Sequence, residues 1–194
     1  MPLGSEPDPR CGGRMSVEPV VIRHGRSDEV GVADTVHYRL AQRLAEVLDQ
    51  AWGENLVSVV LYGSAARGAA RRDSDIDVLV VAERLPARWH ERLDLFRKAA
   101  EPLEPELRRL REEGYFVDFS PLVWTRDEAL RTSRLYLDMT LEEAILFDRE
   151  GFFAGVLARL RERLATLGAV RRQFGRKWYW DLKPDYRYGE IFEI

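Results

Sequence analysis

The sequence predicts an α/β (α+β) domain, because short valine-rich runs of strand length alternate with longer stretches of helical spacing. Two runs, Leu56–Tyr62 and Ile76–Val81, are too short for buried helices, and each stops close to a glycine or a proline. The chain has 194 residues, of which 45% are hydrophobic. This length and composition are sufficient for one domain with a real hydrophobic core.

The chain begins with a tail and a helix. Residues 1–19 contain four prolines and three glycines, so we expect a flexible tail without helix or strand. Apolar residues from Val36 to Leu48 recur at helical spacing behind Asp34, which is a suitable N-cap, and Gly53 is a stop signal. The two valine-rich strands follow this helix, and we expect them to be neighbours in one sheet.

The middle of the chain predicts two helices and a third strand. Residues 88–113 have a helical pattern that two prolines interrupt, which predicts two helices meeting near Glu101. Gly114 closes the second of these helices. The β-branched and aromatic residues of Tyr115–Thr125 predict a strand, and Pro121 indicates either an edge position in the sheet or a bulge near the middle of the strand.

The C-terminal part contains one clear helix. Leu141–Asp148 fits either a helix or a short strand, whereas Phe152–Leu167 has the spacing of an amphipathic helix. The cluster Trp178–Trp180 lies in a final segment without periodicity. We expect a main domain over 20–150 and a helical C-terminal extension over 151–194, whose aromatic tail packs on the same domain.

Composition excludes several classes of protein. The net charge of −3 argues against broad binding to nucleic acid, which normally depends on a basic surface. One cysteine and three histidines without metal-ligand spacing exclude a disulfide scaffold and a zinc finger. We find no apolar run long enough to cross a membrane and no signal peptide, so we expect a cytoplasmic location without membrane binding.

The segment Leu61–Val81, with the sequence LYGSAARGAARRDSDIDVLVV, carries the candidate chemistry. Gly63 and Gly68 have the spacing of a P-loop, but the Lys-Ser/Thr pair of that motif is absent. Three alternating aspartates resemble the start of an EF-hand, but Val78 occupies the position at which the calcium loop needs glycine. Both common motifs are therefore excluded.

Paired carboxylates open the second strand of this segment. Asp75 and Asp77 are two residues apart, so their side chains point to the same side of a strand, ~6.6 Å apart at the backbone. Two such anions at the edge of an apolar sheet repel each other unless a cation compensates them. Oxygen ligands beside a phosphate substrate favour Mg²⁺. We therefore predict a magnesium site at these two residues.

A phosphate-binding turn precedes the carboxylates. Gly63 allows the backbone to approach a ligand closely, and the Ser64 hydroxyl can donate to a phosphate oxygen. We expect this turn to lead into a helix N-terminus, whose free N–H groups and dipole favour phosphate.

These residues resemble a known family. Gly63-Ser64-Ala65-Ala66-Arg67-Gly68 followed by Ser74-Asp75-Ile76-Asp77 is similar to the signature of the polymerase-beta-like nucleotidyltransferase superfamily. Among its branches, the chain resembles the minimal nucleotidyltransferases. The resemblance implies a mixed sheet of four to five strands with helices packed mainly on one face. It also implies a third carboxylate on a later strand, a description that Asp118 meets.

The resemblance further implies a reaction. A hydroxyl acceptor on a protein or a small molecule attacks the α-phosphate of a nucleoside triphosphate, so that AMP moves from ATP and pyrophosphate leaves. Asp75 and Asp77 would hold two Mg²⁺ ions, which Mn²⁺ can replace, and Asp118 would complete the metal site. Gly63 and Ser64 would bind the triphosphate together with Arg67, which offsets its charge.

Two other functions stay open at this point. The first is an antitoxin-like role, in which the chain restrains a small helical protein partner encoded beside it. The second is modification of aminoglycosides, which are cationic and would be favoured by an acidic acceptor pocket.

Overall fold

A computed structural model of the chain describes residues 17–18, 35–175 and 177–194. The strands are β1 (Val17–Glu18), β2 (Leu56–Leu61), β3 (Ile76–Ala82), β4 (Phe119–Thr125), β5 (Ala144–Asp148), β6 (Val170–Phe174) and β7 (Lys177–Asp181). The α-helices are α1 (Val36–Trp52), α2 (Gly63–Ala66), α3 (Trp89–Ala100), α4 (Glu104–Glu112), α5 (Arg126–Ala129), α6 (Arg134–Met139) and α7 (Phe152–Thr166).

The chain divides into two compact units. The larger is Ile22–Arg161, and the smaller combines Met1–Val21 with Glu162–Ile194. Helix α7 crosses the boundary between them. The expected packing of the C-terminal segment on the main domain stays a prediction. None of the helices in the described ranges is both long and apolar enough to cross a membrane.

The larger unit contains a mixed four-stranded sheet in the order β4-β3-β2-β5. Strand β2 pairs antiparallel with both β3 and β5, whereas β3 pairs parallel with β4. This arrangement confirms the predicted fold class and the prediction that the two valine-rich strands are neighbours. It also resolves the ambiguous segment near residue 145, which forms strand β5.

Helices cover one face of the sheet and a smaller cluster covers part of the other. Alternate residues of β3, such as Ile76 and Val78, share a core with buried residues of α1, α3 and α4. Trp124, Tyr136 and Phe153 form an aromatic cluster with ring centroids 5.9 and 5.2 Å apart. Trp124 is paired in register with Val81, which belongs to the second face. Both faces are therefore occupied, which explains why β2 is buried at every residue.

Helix α1 begins one residue later than predicted. The Thr35 side chain accepts a hydrogen bond from the Tyr38 N–H at 3.2 Å and occupies the N-cap position. The predicted cap, Asp34, lies outside the described residues. Gly53 ends the helix with a φ of 52°, as the stop signal predicted.

The two predicted helices meet as expected, but the strand after them starts late. A short 3₁₀ turn, Glu101–Leu103, separates α3 from α4. The N–H of Tyr115 donates to Leu110 O, and that of Phe116 donates to Arg72 O. These two amides are hydrogen-bonded to the end of α4 and to a loop rather than to a strand, and residues 115–118 do not belong to β4. The predicted strand Tyr115–Thr125 is therefore wrong at its first four residues.

The free edge of β4 is largely closed to further strand pairing. The Phe119 N–H donates to the Asp118 carboxylate at 2.8 Å, and the Thr125 N–H donates to Glu128 at 2.8 Å. Pro121 has no N–H to offer. The carbonyl of Val123 accepts from a guanidinium at 3.2 Å. These features protect an edge strand against pairing with other chains.

That guanidinium belongs to Arg92, a buried residue of α3. Its two Nη atoms donate to the two carboxylate oxygens of Glu128 at 2.6 and 3.1 Å, and its Nε donates to Pro86 O at 2.7 Å. The ion pair also lowers the pKa of the Glu128 carboxyl, with the Arg92 hydrogen bond as the largest cause. One side chain thus joins α3 to the edge strand and to α5.

We expect Arg92→Met to lower the free energy of unfolding by about 2 kcal/mol, because it leaves buried acceptors unpaired. Arg109→Met removes an exposed arginine of α4 whose Nε lies 3.7 Å from Glu113. It should cost under ~0.5 kcal/mol. Urea unfolding of both variants checks the difference, and equal losses would contradict a structural role for Arg92.

The smaller unit contains a β-hairpin that the sequence did not predict. Strands β6 and β7 pair antiparallel, and β1 pairs with β6 on the other side. Within the hairpin, Arg172 Nε donates to Asp181 at 2.8 Å, and the Arg171 guanidinium lies 5.0 Å from the Trp178 ring centroid. The extension is therefore a helix followed by a hairpin, and the prediction that residues 1–19 lack a strand is wrong for Val17–Glu18.

Candidate active site

The predicted phosphate turn lies directly against a carboxylate. Gly63 follows β2 with a φ of 73°, and the Tyr62 N–H before it donates to Asp77 O at 3.0 Å. A Cβ atom on Gly63 would lie 2.3 Å from Asp77 Oδ2, which is far inside van der Waals contact. The site therefore needs glycine both for its backbone conformation and for space.

Ser64 follows in α2, which is shorter than expected. This helix has four residues, so its dipole sums over little more than one turn and contributes less than the predicted helix N-terminus would. The phosphate site therefore depends mainly on the turn itself, which offers its backbone N–H groups and the hydroxyl of half-buried Ser64.

The carboxylate of Asp75, the residue just before β3, interacts with that of Asp77 inside β3. The pKa of the Asp77 carboxyl is raised, and burial is the largest cause. The Asp75 charge also raises this pKa, whereas the Ser120 hydrogen bond and the Arg67 charge lower it. The charged form of Asp77 is therefore disfavoured in the metal-free site. Burial and the Asp77 charge also raise the pKa of Tyr62 to about 12, so that phenol stays protonated at neutral pH.

Asp118 is adjacent to this pair through the backbone. Its carbonyl accepts from the Ile76 N–H at 2.8 Å, so it lies beside the start of β3. Its exposed carboxylate accepts from the Phe119 N–H. Across the described ranges, no three His, Cys, Asp or Glu side chains are grouped so that they could hold a metal ion. The three-carboxylate centre stays a prediction.

Ser120 was not identified from the sequence. It is paired in register with Asp77 across β3 and β4, and its hydroxyl hydrogen-bonds to that carboxylate. A signal was present, because Ser120 lies two residues after Asp118 and so would share its side of the predicted strand Tyr115–Thr125. A serine is too common in strands for this spacing to identify it.

The donor set fits a hard divalent cation. Asp75 and Asp77 offer oxygen ligands, and burial, followed by the nearby Asp75 charge, raises the pKa of the Asp77 carboxyl. Gly63 keeps the space beside Asp77 Oδ2 free of a side chain. These observations are consistent with Mg²⁺ or Mn²⁺ at this pair.

Arg67 already has an anionic partner. Its Nη1 lies 3.3 Å from Glu142 Oε2, and both side chains are partly exposed. A triphosphate at the turn would compete with this carboxylate for the guanidinium.

We therefore expect Glu142→Gln to tighten ATP binding by about 3-fold, which is the scale of one exposed ion pair. Glu83→Gln is the matched control, since it removes the same charge from the exposed pair with Arg126. Calorimetric titration with ATP compares the two variants. Equal affinities would mean that Glu142 does not compete with the nucleotide.

A cavity of about 640 Å³ opens beside Asp118. Its remaining wall comes from α3, the start of α4 and the first residues of β4. It has an apolar and aromatic part and a charged part. The apolar residues are Trp89, Leu93, Phe96, Ala100, Leu107, Phe119 and Pro121, and the charged residues besides Asp118 are Arg97, Lys98, Glu101 and Glu104.

Comparison with known proteins decides the family. The model of the nucleotidyltransferase domain matches residues 41–146, which include the turn and all three aspartates. The chain belongs to the nucleotidyltransferase domain family. This confirms the resemblance inferred from the signature and makes the protein a transferase.

This nucleotidyltransferase is similar to one curated relative and to several solved structures. Putative protein adenylyltransferase MJ1305 of Methanocaldococcus jannaschii is 31% identical over 131 residues, which cover 66% of this chain and 84% of the relative. A toxin-antitoxin crystal structure with AMP-PNP is 18% identical, covers 64% of this chain and 90% of its own, and has a TM-score of 0.41. A structure of a tri-AMPylated Shewanella oneidensis HEPN toxin in complex with MNT antitoxin contains a chain that is 18% identical. The match covers 67% of this chain and 91% of that chain, with a TM-score of 0.38.

Proposed function

We propose that this nucleotidyltransferase moves AMP from ATP to a hydroxyl group of an acceptor protein and releases pyrophosphate. The close approach of Gly63 to the Asp77 carboxylate is the observation that carries the proposal. A turn suited to phosphate oxygens beside a carboxylate suited to a divalent ion supports transfer from a triphosphate, which needs both. The name of the archaeal relative supports AMP and a protein acceptor.

The aspartates and the turn bind different parts of the nucleotide complex. Asp75 and Asp77 would hold Mg²⁺, or Mn²⁺, which would neutralise phosphate charge and lower the pKa of an attacking hydroxyl. Ser64 and the turn amides donate to phosphate oxygens. The Arg67 guanidinium leaves its ion pair with Glu142 when the triphosphate binds, and it then places a positive charge beside the phosphates.

Asp118 serves the acceptor side. It lines the 640 Å³ cavity and also lies beside β3, so a hydroxyl entering from the cavity meets its carboxylate. We assign Asp118 as the third carboxylate, which would complete the metal site and would accept the proton of the acceptor hydroxyl. One of its oxygens already accepts the Phe119 N–H, which fixes the orientation of the carboxylate.

The cavity is the proposed entrance for the acceptor. Its wall has two cations, Arg97 and Lys98, against Glu101, Glu104 and Asp118. This near balance of charge gives a polycation little electrostatic preference, so it disfavours the aminoglycoside interpretation. The apolar part of the wall suits a protein side chain.

We expect Ala100→Phe to reduce transfer at least 10-fold while ATP affinity stays unchanged, because the larger side chain fills the cavity. Leu95→Phe on the same helix is the matched control, since Leu95 is exposed and does not line the cavity. Rates of AMP incorporation and calorimetric ATP affinities check both variants. Normal transfer by Ala100→Phe would place the acceptor elsewhere.

The nucleotide half of the proposal is tested by calorimetry with ATP. Binding should be Mg²⁺-dependent, and it should weaken when EDTA removes the metal. Equal affinity with and without Mg²⁺ would contradict a metal-assisted triphosphate site at Asp75 and Asp77. GTP, CTP and UTP in the same titration determine whether the site prefers adenine.

A further inference from the structure

One buried histidine lies behind the candidate metal site. His37 belongs to the first turn of α1 and is 3% exposed. Its Nε2 lies 3.2 Å from the carbonyl oxygen of Ser74, the residue that precedes Asp75. A carbonyl can only accept a hydrogen bond, so Nε2 carries the proton and donates it.

The backbone just before Asp75 forms a tight turn. The Ser74 N–H donates to Arg71 O at 3.1 Å, and the Arg71 N–H donates to Ser74 Oγ at 2.9 Å. The end of this turn at Ser74 is therefore the end that the imidazole holds.

A second set of contacts connects the same loop to the segment before Asp118. Arg72 O accepts from the Phe116 N–H at 2.7 Å, and the Arg72 guanidinium lies 4.8 Å from the Tyr115 ring centroid. These contacts fix the outer side of the loop, whereas His37 fixes its inner side. Removing the histidine donor would leave the Ser74 carbonyl, which is partly buried, without its hydrogen bond from the imidazole, and this is costly unless the loop moves.

We infer that His37 is a positioning residue for the metal site, which holds the Ser74 carbonyl so that Asp75 projects beside Asp77. This inference rests on the proposed function of the two aspartates as metal ligands. It goes beyond the nucleotidyltransferase signature, since His37 lies 37 residues before Ser74 in the sequence. Groups that orient metal ligands without touching the metal typically change metal affinity or activity by ~10–100-fold.

The test compares four variants by Mn²⁺ affinity in the presence of ATP, measured by electron paramagnetic resonance. His37→Leu and His37→Ala remove the donor, and Leu also keeps the site apolar and filled. His37→Gln keeps an N–H donor at a similar distance along the side chain. Ala45→Gly weakens the same helix at a buried position and is the control for general loss of helix stability.

We expect Mn²⁺ affinity to fall about 10-fold in His37→Leu and His37→Ala, and to stay within about 2-fold of the wild type in His37→Gln and Ala45→Gly. Amide hydrogen exchange at Ser74 without metal should speed up in the first two variants, which reports on the loop independently of metal binding. If His37→Leu does not fold, the Mn²⁺ affinity and the Ser74 exchange rate of His37→Ala test the positioning role.

Three results would overturn the positioning role. The first is unchanged Mn²⁺ affinity in His37→Leu and His37→Ala. The second is an equal loss in Ala45→Gly, which would make the effect one of helix stability. The third is a His37→Gln variant as weak as His37→Leu. A wild-type chain that binds no Mn²⁺ with ATP is a distinct outcome, because it contradicts the proposed function and the positioning role together.

Discussion

Replacing Asp77 by Asn is expected to lower the rate of AMP transfer by about 10²–10⁴-fold, equivalent to about 3–5 kcal/mol at the transition state. The amide keeps the shape of the side chain but removes the charge that binds a divalent ion. The Ser120 hydroxyl can still donate to the amide oxygen. We therefore expect transfer to be lost while the fold persists.

Stability distinguishes this functional loss from damage to the fold. Because burial raises the pKa of Asp77 above its unfolded value, the charged carboxylate destabilises the folded metal-free chain at neutral pH. The melting temperature of Asp77→Asn should therefore equal or slightly exceed that of the wild type. Asp73→Asn, an exposed turn residue, should change neither quantity. A large fall in melting temperature for Asp77→Asn would indicate a structural role.

Gly63→Ala is expected to have the second largest effect, with about 2 kcal/mol lost from the free energy of unfolding and about 100-fold from transfer. A non-glycine residue with a φ of 73° costs ~1–2 kcal/mol. The added Cβ would also lie 2.3 Å from Asp77 Oδ2, so the turn or the carboxylate must move. A displacement of about 1 Å in a catalytic site can reduce the rate by 10²-fold.

Gly151→Ala separates the effect of backbone strain from the effect of crowding the Asp77 carboxylate. Gly151 has a φ of 66° but nothing within 4 Å of the added Cβ. It should show the cost of backbone strain in urea unfolding and leave transfer unchanged. If Gly63→Ala and Gly151→Ala had the same transfer rate, the close approach of the turn to Asp77 would have no role in the reaction.

The candidate site was predictable where it depends on local sequence. Gly63, Ser64, Asp75 and Asp77 lie within 15 residues of one another, and the two-residue spacing of the aspartates is enough to predict that both carboxylates point to one side. In the structure β3 begins at Ile76, between the two aspartates. Asp118 was predicted inside a strand but precedes it. The reason is that the amides of residues 115 and 116 bond to a helix end and a loop, which the composition of the segment does not reveal.

The contacts that required the fold were not predictable in the same way. His37, Ser120 and Glu142 reach the site through long-range pairing, and each is an ordinary residue type in its own segment. The hairpin of β6 and β7 was missed because VRRQF places its polar residues consecutively and KWYWD places its aromatic residues consecutively, so neither strand alternates apolar and polar residues. Helix spacing and valine-rich strands, by contrast, are properties of short segments and were predicted.

Transfer from ATP labelled at the α- or the γ-phosphate tests the central claim most directly. With Mg²⁺ and a cell lysate as the source of acceptor, we predict that the α-label enters a protein while the γ-label appears in pyrophosphate in equal amount. Asp77→Asn and EDTA should abolish both. Transfer of the γ-label to an acceptor, or α-label incorporation that persists in Asp77→Asn, would contradict the account.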